Sequence, residues 1–537
     1  MVEAAPQRLS RSALLTLAAI VIIAAGVRLW GLAFGLPFGN ARPDETYVMD
    51  VVRPLLEGRA PPPNYEYPWL YMGLTGLGWL GYYVVGAVQG SFASLTDLTA
   101  SWRTHYTPFF LINRGVSAAL GIATVLVVFA IARRLWNVRA GLVAAACLAL
   151  AYLHVRDSHY GTTDVPMTFF VMLATWLTLR AFDRGLVGDY VWAGLAAGLA
   201  GATKYNAVFV VVPLVVSALG HAVRIGPAPG LVRLVAAAVP CGLVAALGVP
   251  FAFSDPAGFQ RVLSLLFTST TTGQTHLDLP PGWVTHLRYS LRYGVGLAML
   301  IAAAAGAARA VVGDPWRVAV VLAFPLSYFA VVGAARNQYF RYALPLVPFL
   351  CLTAACTIDG VASWLARPGR SRPWMPVAAA AGLTALLVAE PAWRSWQFDR
   401  LMATTDNRVV AAEWIAAHVP PGSALLTTGS HYGFPWLPAD RGYRFWVWDR
   451  REQVYWSPED DAPRPEWILR QEHALSSDQP VIAGWLAEDY AVAWRSAATR
   501  DGAAAIYDRM DAFYLPYAGF TGVSRPGPSF TLYRRAR

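Results

Sequence analysis

The sequence predicts a mainly α-helical, polytopic bundle of about eleven transmembrane spans, followed by a C-terminal extracytoplasmic α/β domain. Of its 537 residues, 56% are hydrophobic and only 14% are charged, a balance that excludes an ordinary water-soluble globule. Long apolar runs alternate with short, arginine-containing gaps as far as about Trp396, and beyond it acidic residues become frequent. We therefore expect a membrane domain over residues 1–396 and a second domain over residues 397–537.

Crossing the hydrocarbon core takes about 20 apolar residues. Candidate spans lie at residues 13–34, 107–132, 138–153, 164–182, 190–204, 205–220, 234–253, 289–311, 317–335, 342–366 and 374–393. The first is too long for the core of a signal peptide, so we expect it to remain as a span. The stretch 190–220 is longer than one span needs, and we interpret it as two short segments that turn at Lys204.

The apolar stretch 68–90 is ambiguous. If it spanned the membrane, Arg133, Arg134 and Arg139 would fall outside, against the tendency of arginines to remain in the cytoplasm. We therefore interpret it as interfacial, within a first external loop that covers residues 35–106. This choice gives a multi-pass protein of the cell membrane, with its C-terminal domain outside the cytoplasm.

The basic character of the chain does not indicate nucleic-acid binding. The formal net charge is +10, but the arginines cluster in short gaps between apolar runs, where they anchor topology. The four cysteines all lie inside apolar runs, so neither an exposed disulfide framework nor a thiolate metal site is expected.

Two adjacent carboxylates, Asp44 and Glu45, follow the first predicted span. Such a pair can supply a general base, ligands for a metal ion or the N-cap of a helix. The predicted topology places it on the same outer face as His159, Asp164 and Arg341. Because ionisable groups at a membrane boundary are costly unless solvated or paired, this gathering favours a reaction centre there.

Lys204 is the only lysine in the chain, among 43 lysine and arginine residues. A compact ammonium group near the interface suits a phosphate, although an alternative is a side chain that merely reaches toward the headgroups. Asp164 precedes Pro166 and could simply cap the next helix. Arg341 could neutralise a phosphate or pair with headgroups.

Taken in order, these segments resemble the polyprenyl-phosphate-dependent glycosyltransferases of the GT-C class, particularly the protein O-mannosyltransferase and lipid A aminoarabinose transferase branch (glycosyltransferase family 39). The likeness is carried by Asp44-Glu45, Tyr67 to Tyr71, Arg133 to Trp136, Ser158 to Asp164, Gly198 to Tyr205, and Arg341 to Pro345. The loop 254–288, which includes Thr268 to His276, has no recognised counterpart in that family, and we expect it to shape the choice of acceptor.

The resemblance implies an inverting transfer of sugar from a polyprenyl-phosphate donor to a glycan, lipid or protein acceptor of the cell envelope. Asp44 would act as the base on the acceptor hydroxyl, with Glu45 positioning it. Lys204 and Arg341 would offset the charge of the departing phosphate. The remaining substrate contacts implied are Asp164, His159, Tyr205 and Tyr342.

A divalent metal ion held by Asp44, Glu45 and Asp164 stays open, because the family is not uniform on this point. The alternative function is a transporter or flippase of lipid-linked sugar, since many spans and broken segments are also typical of transporters. The richness in arginine and alanine hints at a bacterial source.

Overall fold

The computed structural model describes residues 9–536 except for 61–64, 103, 274–278, 369, 371, 461, 501 and 512–513. The chain divides into two compact units. The first unit comprises Met1–Trp30 and Tyr47–Trp396, and the second comprises Gly31–Thr46 and Gln397–Arg537. The second unit thus includes a short segment that the sequence assigns to the membrane domain.

Helices account for most of the first unit, and the last two α-helices of the chain belong to the second. In chain order the α-helices are α1 Arg11–Leu29, α2 Pro43–Leu56, α3 Leu70–Val88, α4 Leu95–Ser101, α5 Thr107–Leu135, α6 Val138–Leu150, α7 Tyr152–Ser158, α8 Asp164–Arg184, α9 Val187–Gly201, α10 Val211–Ile225, α11 Pro227–Leu247, α12 Phe251–Ser254, α13 Pro256–Thr272, α14 Gly282–Thr285, α15 Arg292–Val295, α16 Leu297–Gly313, α17 Pro315–Ala334, α18 Val347–Leu365, α19 Met375–Met402, α20 Asn407–His418 and α21 Pro480–Asp489. A π-helix, His286–Leu291, joins α14 to α15, and 3-10 helices at Tyr205–Val210 and Phe340–Leu346 precede α10 and α18.

The predicted membrane segments are helical. Within the described residues, eight helical stretches are long and apolar enough to cross a membrane. Two further pairs pass the same test together but are bent, by 58° between α6 and α7 and by 106° between Gly282–Val295 and α16. The predicted segment 190–204 forms α9, which has 15 residues. The chain is a multi-pass membrane protein, and the number of eleven crossings stays a prediction.

Two expectations about particular segments have different outcomes. The stretch 190–220 does divide in two, with Lys204 between α9 and the 3-10 helix Tyr205–Val210, as predicted. The expected loop 254–288 is wrong for its first part, because α13 occupies Pro256–Thr272. The side chain of Asp255 starts that helix by accepting a hydrogen bond from Gly258 N at 3.0 Å. His276 lies outside the described residues.

The second unit contains the predicted sheet. Its strands are β1 Ala424–Thr427, β2 Arg444–Asp449, β3 Val454–Trp456, β4 Trp467–Glu472, β5 Tyr490–Ser496, β6 Ile506–Tyr507, β7 Pro516–Ala518 and β8 Ser529–Arg535. Six of them form a sheet in the order β3-β2-β1-β4-β8-β5, with β1 parallel to both β2 and β4. Strands β6 and β7 form a separate antiparallel pair.

Both faces of this sheet are covered by helices. Ala411 and Ile415 of α20 pack with Leu425 and Leu469 on one face. On the other face, Ile482 of α21 packs with Leu426, Trp446 and Ile468. The alternation of apolar side chains along each strand explains this two-sided core. The predicted fold class, a mainly α-helical membrane protein with a C-terminal α/β region, is confirmed.

Candidate active site

A buried ion pair joins Asp164 and Lys204 in the first unit. Lys204 Nζ donates to Asp164 Oδ1 at 2.6 Å, and both residues are buried. Asp164 is the first residue of α8, and Lys204 directly precedes the 3-10 helix Tyr205–Val210. The ends of two segments therefore bring together residues that are 40 positions apart in the chain.

The interpretation of Asp164 as a helix cap is wrong. Thr163 occupies the cap position, and within the described residues its side chain makes no capping hydrogen bond. The carboxylate of Asp164 is instead bonded to the ammonium group of Lys204. Since a buried carboxylate is costly without a charged partner, this pairing dictates its orientation.

Arg341 is the third charged residue of this cluster. Its Nε lies 3.9 Å from Asp164 Oδ2, and its guanidinium is 4.5 Å from the ring centroid of Tyr339. Arg341 is buried and belongs to the 3-10 helix Phe340–Leu346. The two cations and one carboxylate carry a net charge of +1, which suits a singly charged anion. The sequence-based grouping of Asp164, Lys204 and Arg341 thus corresponds to one cluster in space.

Tyrosine rings flank the ammonium group of Lys204. Its Nζ lies 5.6 Å from the ring centroid of Tyr67 and 5.5 Å from that of Tyr342, distances at which a cation is attracted to an aromatic face. Tyr67 in turn packs edge to face against Tyr47, with the ring centroids 5.1 Å apart. Burial, and next the carboxylate of Glu66, raise the pKa of Tyr47.

Tyr328 is a part of this region that sequence reasoning misses. Its hydroxyl donates to Tyr342 O at 2.9 Å, and Asn206 Nδ2 donates to the same hydroxyl at 3.2 Å. Tyr328 lies within the apolar run of α17 and is fully buried. A tyrosine in an apolar span is a weak signal, because interfacial anchoring and packing give the same pattern.

Two other predicted substrate contacts have structural partners. The ring nitrogens of His159 lie 3.0 Å from Val155 O and 2.9 Å from Trp30 O. The hydroxyl of Tyr205 donates to Tyr65 O at 2.9 Å. These contacts hold neighbouring segments in place, and a role of either residue in substrate binding stays a prediction.

The acidic pair Asp44 and Glu45 belongs to the second unit, in the first turn of α2. Arg42 bridges two carboxylates there, with Nη2 3.1 Å from Asp44 Oδ2 and Nη1 3.2 Å from Asp511 Oδ1. Arg42 and Glu45 are buried, whereas the side chain of Asp44 is one-third exposed. The sequence offers no signal for Asp511, which lies far along the chain from the motif.

No group of three or more His, Cys, Asp or Glu side chains that could hold a metal ion occurs among the described residues. Whether Asp44, Glu45 and Asp164 hold a divalent ion stays open. The four cysteines are free, and three of them are buried, as expected from their place in apolar runs.

Comparison with known proteins relates part of this chain to membrane mannosyltransferases. Residues 112–242 match the family described as dolichyl-phosphate-mannose-protein mannosyltransferase. Over 217 residues the chain is 28% identical to dolichyl-phosphate-mannose–protein mannosyltransferase 1 of Saccharomyces cerevisiae, which covers 37% of this chain and 23% of that protein. The chain therefore spans less than a quarter of the length of this curated relative. Because the matched stretch contains Asp164 and Lys204, the predicted resemblance to membrane glycosyltransferases is confirmed where this ion pair lies.

Three solved structures are similar to a larger share of this chain, but at lower sequence identity. ArnT from Cupriavidus metallidurans bound to undecaprenyl phosphate is 13% identical, with 98% of each chain covered and a TM-score of 0.49. The Archaeoglobus fulgidus oligosaccharyltransferase tethered with an acceptor peptide is 15% identical, with 76% of this chain and 58% of that chain covered and a TM-score of 0.48. The S. cerevisiae Pmt1-Pmt2 complex bound to the sugar donor is 20% identical, with 52% and 37% covered and a TM-score of 0.30.

Proposed function

We propose that this protein is an inverting glycosyltransferase that moves a sugar from a polyprenyl-phosphate donor to a cell-envelope acceptor at the outer face of the membrane. The observation that carries the proposal is the buried cluster of Asp164, Lys204 and Arg341. Two of its three members lie in the stretch that matches the mannosyltransferase family. That family is named for a donor of this chemistry, a sugar on a dolichyl phosphate.

The cluster suits the phosphate of such a donor. A sugar linked to a polyprenyl phosphate through a phosphodiester carries one negative charge, which complements the net charge of +1. The ammonium group of Lys204 acts as a point charge, and the guanidinium of Arg341 offers several donors in one plane. Asp164 holds the ammonium group at 2.6 Å, so little reorganisation accompanies phosphate binding.

The reaction follows from this binding mode. The oxygen of the acceptor hydroxyl attacks the anomeric carbon, the bond from that carbon to the phosphate oxygen breaks, and the configuration at the carbon inverts. The polyprenyl phosphate leaves with an additional negative charge, which Lys204 and Arg341 stabilise. The proton of the hydroxyl passes to a carboxylate base, for which the family resemblance indicates Asp44.

The aromatic side chains near Lys204 support a sugar. The hydroxyl of Tyr47 is buried beside the backbone of Glu66 and Tyr67. Its proton would be donated to a sugar hydroxyl in the proposed complex. Tyr67 packs against this ring and lies near Lys204, so it offers an apolar surface between the sugar and the phosphate.

We propose that the reaction takes place on the extracytoplasmic side of the membrane and that the C-terminal domain lies on the same side. It rests on the positions of the arginines between spans. Labelling of single cysteines from outside the cell, at Glu452→Cys in the second unit and Arg367→Cys after α18, tests it. We expect labelling of the first position alone, and the reverse pattern would contradict this orientation.

The phosphate site can be tested through Lys204, because it is the only lysine in the chain. Biosynthetic ¹⁵N-lysine gives a single side-chain signal, from Lys204. We expect farnesyl phosphate to shift this signal and farnesol, which has no charge, to leave it unchanged. A signal that responds to neither compound would contradict the phosphate site.

Transfer itself is tested with the purified full chain, polyprenyl-phosphate sugars and cell-envelope acceptors, with products read by mass spectrometry. We expect Lys204→Met and Arg341→Met to weaken donor use about tenfold to a hundredfold, since each loses a charge-assisted contact. Arg336→Met, at an exposed arginine five positions before Arg341 in the chain, is the control and should have no effect. Movement of the donor across a vesicle membrane without transfer would support the flippase alternative instead.

The role of Asp44 is tested by Asp44→Asn, which keeps the shape of the side chain and removes its basicity. We expect the rate of transfer to fall about a hundredfold or more, with donor binding little changed. Normal transfer by this variant would remove Asp44 from the proposed mechanism without affecting the phosphate site.

A further inference from the structure

The span formed by Gly282–Val295 and α16 is broken at Gly296. The two arms meet at a bend of 106°, and Gly296 has a φ of +85°, which side chains other than glycine rarely adopt. At the start of the second arm, the first N–H groups have no acceptors within the helix. A break of this kind therefore needs partners from another element.

Glu390 of α19 provides such a partner. Its Oε2 accepts a hydrogen bond from Leu297 N, at the first residue of the second arm, at 3.1 Å. Its Oε1 accepts from Arg292 Nη1 at 2.5 Å and lies 2.6 Å from Arg394 Nη2. One carboxylate thus joins both sides of Gly296. Its negative charge lies at a helix N-terminus, where the helix dipole favours it.

Glu390, Arg292 and Arg394 together form a clamp at the break. Arg394 extends this clamp along the first arm. Its Nη1 donates to Tyr293 O at 3.0 Å, and its guanidinium lies 4.8 Å from the ring centroid of Tyr293. A Cβ on Gly296 would come within 2.9 Å of Glu390 Oε2, so the carboxylate fits closely over the break. The end of the first arm is therefore fixed to α19.

The beginning of the first arm is fixed separately. The ring of Trp283 lies so close to Gly333 that a Cβ there would clash with it, and it packs edge to face on Phe329 at 5.1 Å. Gln338 Nε2 donates to Pro280 O at 2.9 Å. The segment Gly282–Val295 is thus held at both ends.

Between its two ends, this segment contacts the residue that directly precedes Arg341 of the charged cluster. Tyr289 stacks on Phe340, with ring centroids 6.2 Å apart and an interplanar angle of 6°. Phe340 is buried and directly precedes Arg341. The position of Tyr289 therefore limits where the backbone of Arg341 can lie.

We infer that Glu390 is a positioning residue for the donor site. It fixes the break at Gly296, and the segment Gly282–Val295 then supports Phe340 so that Arg341 remains beside Asp164. This inference rests on the proposed function, because it gives Glu390 its role through the phosphate contact of Arg341. Glu390 acts through Arg341 and is not proposed to touch the substrate or the reacting atoms.

The test compares Glu390→Gln with Asp183→Asn in the full chain. Asp183 is a matched control, because its carboxylate is also shared by two arginines, Arg134 at 2.6 Å and Arg317 at 2.7 Å. We expect Glu390→Gln to raise the KM for the polyprenyl-phosphate donor about tenfold and to change kcat less than threefold. The control variant should leave the donor KM unchanged, and equal effects of the two variants would overturn the inference.

A double-mutant cycle tests whether the effect passes through Arg341. In an Arg341→Met background, Glu390→Gln should no longer raise the donor KM. The same rise in both backgrounds would overturn the inference, because Glu390 would then act by another route. Tyr289→Leu provides a second variant that leaves the clamp intact, and it should raise the donor KM in the same way.

Failure of this inference is distinguishable from failure of the proposed function. If Arg341→Met weakens donor use and Glu390→Gln does not, the phosphate site stands and the positioning role is wrong. If Arg341→Met has no effect on donor use, the proposed phosphate site fails and the inference fails with it.

Discussion

Among the described residues, two of the membrane segments are sharply bent at a break, and a charged residue from another helix binds at each break. At the first break, between α6 and α7, Arg28 Nη1 donates to Ala149 O at 2.9 Å and Nη2 donates to Leu148 O at 3.1 Å. At the second, Glu390 accepts from Leu297 N. A cation lies at a helix C-terminus and an anion at a helix N-terminus, as the helix dipole favours. The helix dipole thus favours a positive side chain at the first break and a negative one at the second.

The two breaks differ in their surroundings. Arg28 is fully buried and also donates from Nη2 to His154 Nδ1 at 3.0 Å. The side chain of Glu390 is 33% exposed, and that of its partner Arg292 is 32% exposed. A buried clamp cannot exchange its protein partners for water, whereas a partly exposed one can. Both breaks are therefore held by a charged side chain, but loss of the buried one should cost more stability, because water cannot replace Arg28 as it can replace Glu390.

Of the substitutions that test this comparison, Arg28→Leu should lower the stability of the protein most. It leaves the carbonyls of Leu148 and Ala149 without their donor in a buried place, so we expect the free energy of unfolding to fall by about 2–5 kcal/mol. Thermal unfolding in detergent micelles measures this. Arg11→Leu, at an exposed position of the same helix, is the control. Equal stability of the two variants would mean that Arg28 does not hold the break.

Gly296→Ala should have an intermediate effect at the second break. Alanine at a φ of +85° is strained, and its Cβ would press on Glu390 Oε2, so we expect a loss of about 1–3 kcal/mol. The matched control is Gly26→Ala in α1, where a Cβ would meet no described atom within 4 Å. That variant should be neutral or slightly stabilising by the same thermal measurement. A neutral Gly296→Ala would show that the bend tolerates other conformations.

Asp255→Ala should have the smallest effect, because it removes a single local cap contact to Gly258 N at the start of α13 and joins no two remote segments. Hydrogen bonds from Gly258 N, and next from the hydroxyl of Tyr65, lower the pKa of Asp255. The cap is therefore complete above the ordinary pKa of aspartate and is lost as the pH falls through the lowered value.

Hydrogen exchange at the amide of Gly258 measures this cap. We expect exchange roughly fivefold faster in Asp255→Ala, while Asp255→Asn, which can still accept the bond, should stay close to the original chain. Exchange that is unchanged in both variants at neutral pH would argue against a capping role for Asp255.

The breaks themselves are poorly predicted from sequence. The stretches 138–153 and 289–311 look like ordinary spans, although the first breaks at Ala151 and the second at Gly296. One signal is available, namely the charged side chains of Arg28 and Glu390 within or next to apolar runs. Charged residues inside membrane segments are costly, so they indicate a buried partner. Which backbone groups they bind depends on how the helices pack.

The candidate site is predicted in part. The uniqueness of Lys204 and its place between two apolar segments single it out, and Asp164 and Arg341 stand out as charged residues at the ends of apolar runs. Tyr328 and Asp511 are missed, since neither has a local pattern that distinguishes it. Asp511 becomes interesting only because Arg42 bridges it to Asp44 in the second unit.

The sequence by itself determines that this is a multi-pass membrane protein with a C-terminal α/β region. Apolar length and the alternation of apolar and polar residues are local properties, so they can be read along the chain. Only the tertiary structure decides which charges meet, such as Lys204 with Asp164 and Glu390 with Arg292. The physical reason is that ion pairing depends on distances of a few ångströms between residues far apart in the chain, and those distances follow from helix packing.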